Sequence, residues 1–95
     1  MALIPGGKSQ RSTEVPASIV AMVKEAMPEI RQQCDDSKLK LVRVRGYRTQ
    51  VVSGQKYFVD LEVENGAGRA SNLSVTIWQK SDQTIEVTDC HPAAS

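Results

Sequence analysis

Ninety-five residues make one domain of ordinary size, which excludes a multidomain enzyme. Twelve Lys and Arg against eleven Asp and Glu leave a formal net charge of +1, so the chain as a whole lacks the electrostatic signature of a nucleic-acid or membrane binder. Hydrophobic residues make up 40% of the chain and aromatics only 4%, so the core has to be aliphatic and a wholly disordered chain is not expected.

No apolar run approaches the roughly 18 residues of a membrane-spanning helix, and no basic segment followed by an apolar one opens the chain. The sequence reads as soluble. It is either a mature secreted chain or, if Met1 is the native start, a cytoplasmic one.

Residues 1–13 contain Pro5, Gly6 and Gly7 and no sustained period, and read as an extended N-terminal trunk. From Glu14, the apolar residues Val15, Ile19, Val23, Ala26 and Ile30 recur at steps of three and four, which predicts an amphipathic helix with Pro16 in its first turn. Pro28 removes a backbone donor and clashes one turn back, so the helix is expected to kink there or end just before it. Asp35-Asp36-Ser37 then breaks it.

Beyond Ser37 the period falls to two. Tyr57, Val59, Leu61 and Val63 alternate with Lys56, Asp60, Glu62 and Glu64, with Phe58 the apolar exception on the polar face. Further strands are predicted over residues 38–50, around Leu73, Val75 and Ile77, and around Ile85 and Val87. They are joined by a hairpin at 51–54, a glycine-containing loop at 65–72 and a tight turn at 81–83, and residues 91–95 read as a flexible tail. The fold class is α+β, a single domain over 1–95 in which one helix covers the apolar face of an antiparallel meander.

The cations Lys38, Lys40, Arg43, Arg45 and Arg48 follow one another without an acid. A hairpin closed around Val52 and Ser53 sets Arg43 against Glu62 and Arg45 against Asp60, with Val42 and Val44 turned inward. Such cross-strand pairs are ordinary sheet stabilisation, and this reading outweighs a phosphate-binding one.

Catalytic chemistry is sparse. The single histidine, His91, is adjacent to Cys90, whereas a Cys/His nucleophile pair comes from separate segments and a metal site needs about three or four spaced ligands. The pairs Asp35-Asp36 and Glu62/Glu64 read as solvated charges, and no lysine follows Gly66-Ala67-Gly68 at phosphate-loop spacing. No catalytic residue, cofactor or metal is expected, and an enzyme is the least favoured class.

The hairpin tip Gln50-Val51-Val52-Ser53-Gly54 places two valines where solubility prefers polar residues, which suggests a partner. That tip, with the strand Lys56-Tyr57-Phe58-Val59-Asp60-Leu61-Glu62-Val63, resembles the QxVxG hairpin of the cystatins and the strand after it. Ile4-Pro5-Gly6-Gly7 is similar to the glycine-bearing trunk of that family, in a stefin-like form, and the helix lies between trunk and hairpin as in cystatins. The likeness covers nearly the whole chain, but its specific motifs are confined to residues 4–7 and 50–63.

The resemblance implies one helix on a four- to five-stranded antiparallel sheet. It also implies reversible, tight-binding, competitive inhibition of papain-like cysteine proteases of the cathepsin L, B and S type. In the family, the trunk and two hairpins form a wedge that enters the active-site cleft. Carried over, Leu3 and Ile4 are candidates for the unprimed substrate pockets, Pro5 constrains the trunk, Gly6 or Gly7 is its hinge, and Gln50, Val51, Val52, Ser53 and Gly54 form the central loop.

Ser81 and Asp82 lie in the second hairpin, where secreted cystatins carry Pro-Trp and stefins Leu-Pro-Gly; here the turn reads Lys80-Ser81-Asp82-Gln83. Trp78, just before it, either substitutes for the missing aromatic or packs on the sheet, and packing is the favoured reading. Cys90 is similar to the last cysteine of secreted cystatins, but Leu73 occupies the place of its usual partner. Cys34, at the helix end, is the candidate partner, with two free thiols as the alternative. The legumain-binding Asn of some secreted cystatins has no match in Cys34-Asp35-Asp36-Ser37, so no inhibition of legumain through that loop is predicted.

A monomer is expected, free of nucleic acid and membrane, with a domain-swapped dimer as the alternative state. The alternative functions are a non-inhibitory binding module on the cystatin fold and, behind it, a small basic nucleic-acid-binding domain.

Overall fold

In the computed structural model, which describes residues 12–93, the apolar stripe of the first half forms one helix, α1, Ala17–Gln33. Ile19, Val23, Ala26, Met27 and Ile30 form its buried face. Pro16 sits just outside in extended conformation, and its carbonyl accepts from the N–H groups of Ile19 and Val20 at 3.0 and 3.3 Å. The helix therefore begins three residues later than Glu14.

Pro28 does not end it. Lys24, whose carbonyl loses its partner, and Pro28 are both exposed, so water can satisfy the freed oxygen, while Met27 and Ile30 stay anchored in the core. The helix stops where Asp35 adopts φ 54°. Asp36 N–H then reaches back to the Arg31 carbonyl at 3.0 Å and Asp35 N–H to that of Gln32 at 3.2 Å, the paired bonds of a left-handed helix stop.

Four strands follow: β1 Lys40–Val52, β2 Gly54–Glu64, β3 Ala70–Gln79 and β4 Ile85–Pro92. They form one antiparallel sheet in the order β1-β2-β3-β4. Alternation decides which face is buried: Val59, Leu61, Val63, Leu73, Val75, Ile77 and Val87 meet the helix stripe in a single core. Ser12 adds an isolated antiparallel bridge to Tyr47 of β1.

The β1–β2 register is irregular. Arg43 faces Glu62, with Arg43 Nε 2.9 Å from Glu62 Oε1, and Val44 faces Leu61. Register shifts at Val42 and Arg45, however, bring Leu41 opposite Val63 and Gly46 opposite Asp60. Val42 is consequently 51% exposed instead of inward, and Arg45 does not face Asp60. Each bulge inserts an unpaired residue and increases strand bending.

β3 starts at Ala70, which shortens the preceding loop to residues 65–69, and β4 continues through Pro92, so His91 and Pro92 pair with Ser74 and Leu73. The helix end and β4 are joined by a Cys34–Cys90 disulfide with Cα atoms 6.1 Å apart. Glu29 Oε2 accepts from Val87 N–H at 2.8 Å and Gln33 Nε2 donates to the Val87 carbonyl at 3.4 Å, so helix side chains occupy the backbone groups of that edge. No described helix is long and apolar enough to cross a membrane.

Candidate functional site

Antiparallel order places the β1–β2 and β3–β4 turns at the same end of the sheet, with Gln55 directly opposite Gln79. Val51 pairs with Gln55, so the first reversal is made by Val52, Ser53 and Gly54. Gly54 has φ +92°, a region that side-chain-bearing residues rarely occupy, and a Cβ there would overlap the Gln79 carbonyl oxygen and press on Lys80 Cα at 3.1 Å. Glycine is thus demanded twice, by the turn and by the second hairpin lying against it. Gln50 pairs with Lys56, while Val51 and Val52 at the end of the strand project at 67% and 37% exposure.

The second turn is locked by its own polar groups. Lys80 N–H donates to the Thr84 carbonyl at 2.8 Å and Gln83 N–H to that of Lys80 at 2.9 Å, with Gln83 at φ 74°. Asp82 Oδ1 accepts from Thr84 Oγ1 at 2.6 Å and Thr84 N–H at 3.0 Å. These bonds, the hydroxyl first, hold the Asp82 carboxyl below its ordinary 3.8, with nearby Lys80 a smaller contributor. A depressed folded value means the contact is fully present above the ordinary carboxylate range and is lost as pH falls through the lowered pKa. Thr84→Val is expected to return Asp82 toward 3.8, which carboxyl-carbon NMR titration reads directly.

The two turns are also joined by a side chain. Trp78 Nε1 donates to the Ser53 carbonyl at 2.8 Å, and the Lys80 ammonium lies 5.3 Å from the indole centroid and 3.2 Å from Glu86 Oε1. Alternation places Trp78 on the outer face, but its bond to Ser53 depends on the β2–β3 register and had no signature in the spacing. Leu3, Ile4, Pro5, Gly6 and Gly7 lie outside the described residues. Gln50 to Gly54 and Ser81 to Asp82 are therefore the sequence-identified residues that the fold gathers at one end, while Cys34 and Cys90 join the helix to β4.

A family model described as the cystatin domain matches residues 8–90. The chain belongs to the cystatin family. The fold agrees with that of a solved structure described as the crystal structure of Al-CPI, at a TM-score of 0.62 and 24% identity, covering 93% of this cystatin and all of the other chain. No curated protein matches. Cystatins are generally inhibitors rather than enzymes, and cysteine proteases are the partners that the family suggests.

Proposed function

We propose that this cystatin is a reversible, tight-binding, competitive inhibitor of papain-like cysteine proteases of the cathepsin L, B and S type, and that the fused hairpin tips enter the active-site cleft. The observation that carries this reading is the end of the sheet itself, where Val51 and Val52 are exposed on a turn fixed against the second hairpin by Gly54 and Trp78. A protruding, preordered, apolar tip suits a concave partner, because little conformational freedom is lost on docking and the valines add apolar burial.

Ser12 pairs antiparallel with Tyr47 of β1. Leu3 to Gly7, which precede Ser12 and lie outside the described residues, are proposed to reach the cleft beside the hairpin. Ser81 and Asp82 provide the third contact. The polar second turn also supports a second reading, a binding module on the same fold that no longer inhibits.

Titration of papain and of cathepsins L and B against substrate tests the proposal. Stoichiometric, substrate-competed inhibition is expected. Val51→Asp is expected to weaken it at least about tenfold, since loss of valine burial alone is worth about 1.5 kcal/mol or more and a carboxylate would enter an apolar contact. A folded parent protein that inhibits none of these enzymes would leave the binding module as the better reading.

A further inference from the structure

The apex of the first hairpin has little of its own to hold it. Ladder pairing of side-chain-bearing residues on both strands ends at Val51 and Gln55, and Val52 and Ser53 are exposed. Apices of this kind open easily unless something outside the hairpin restrains them.

Trp78 supplies that restraint from β3. It lies opposite Lys56 in the sheet, 25 residues from Ser53 in sequence, and its indole N–H is directed at the Ser53 carbonyl. The other side of the ring is held as well, by the Lys80 ammonium over its face, which Glu86 anchors in turn. Indole has a single polar hydrogen, and here it is committed to the neighbouring hairpin.

We propose that Trp78 is a positioning residue for protease docking: through Ser53 it fixes the tip of the first hairpin in its binding conformation. The role rests on the inhibitory reading, and it differs from that of a residue whose ring fills a protease pocket. The second hairpin then contributes to binding through the first even where its own turn, Lys80-Ser81-Asp82-Gln83, offers no apolar surface. Preorganisation of this kind shows as affinity rather than as overall stability, because the bond sits at an exposed tip away from the core.

Trp78→Phe deletes the donor and keeps an aromatic ring under Lys80. Its affinity for papain with a carboxymethylated active-site cysteine, measured by calorimetry, is expected to fall about tenfold while the melting temperature moves by no more than about 2 °C. Lys80→Met leaves the indole in place but loosens it, and a two- to threefold loss is expected. In the free protein the single tryptophan gives one indole resonance. Its N–H is expected to exchange slowly, and the Gln55 amide is expected to exchange faster in Trp78→Phe than in the parent.

Equal affinity of a folded Trp78→Phe protein and the parent overturns the proposal. So does an indole N–H that exchanges at the unprotected rate, whatever the protease result. If the parent binds no papain-like enzyme, the inhibitory reading fails, while the exchange measurement still decides whether Trp78 holds the tip.

Discussion

Gly54→Ala is expected to weaken inhibition of papain by at least about a hundredfold, equivalent to about 2.7 kcal/mol. Two independent penalties meet at this position. A residue with a Cβ held at φ +92° carries strain of about 1–3 kcal/mol. The added methyl would also overlap the Gln79 carbonyl oxygen, which is backbone and cannot rotate away. Relief requires the first hairpin tip to lift from β3, which breaks the Trp78–Ser53 bond and moves Val51 and Val52 out of register with the second turn. The melting temperature is expected to fall by about 5–15 °C.

Gly68 separates the two penalties. It also has positive φ, +82°, but nothing lies within 4 Å of a Cβ placed there, and its loop is at the other end of the sheet. Gly68→Ala is expected to lose some stability and leave inhibition unchanged. Parallel titrations and melting curves check both, and a Gly54→Ala protein that behaves like Gly68→Ala contradicts the fused-tip geometry.

Loss of the Cys34–Cys90 disulfide is expected to cost about 2–4 kcal/mol, because it closes a loop with a sequence separation of 56. For a domain of this size that lowers the melting temperature by about 10–25 °C. The bridge ties the helix end to β4, a junction otherwise held by the bonds of Glu29 and Gln33 to Val87 and by the small core. Cys90 is five residues along β4 from Ile85, roughly 17 Å from the second turn, so the wedge should keep its shape. Cys34→Ser combined with Cys90→Ser is accordingly expected to inhibit papain at 25 °C within about threefold of the parent while melting far earlier. Thermal unfolding with and without reductant checks this, and identical melting curves contradict a stabilising bridge. Two reactive thiols in a non-reduced sample would contradict the bridge itself.

The helix stripe and the alternating strands were legible because each element buries a single face, so burial leaves a period in the sequence. The Gln50–Gly54 tip was legible because two exposed valines at a turn conflict with solubility. An end before Pro28 was the wrong alternative because the proline's cost is local and visible, whereas the compensation comes from Met27 and Ile30 packed beneath a sheet that the helix sequence does not contain. Val42 and Arg45 misled for a different reason. A bulge is a backbone event that most side chains tolerate, and the hint was Gly46, buried in mid-strand where a glycine marks such irregularities. Residues 91–92 lacked apolar alternation, yet β3 gives them a partner strand. Trp78 could be assigned to a face but not to Ser53, since that contact joins residues from different hairpins.

The most direct test of the account is amide NMR mapping of the labelled protein with papain whose active-site cysteine is carboxymethylated. The largest changes are predicted at Val51 to Gly54, at Lys80 to Gln83 and at the Trp78 indole, with Ser37 to Lys40 and Asn65 to Arg69 at the opposite end undisturbed. Changes centred on that opposite end, or on the outer sheet face around His91, would contradict the assignment of the hairpin tips as the protease-binding edge.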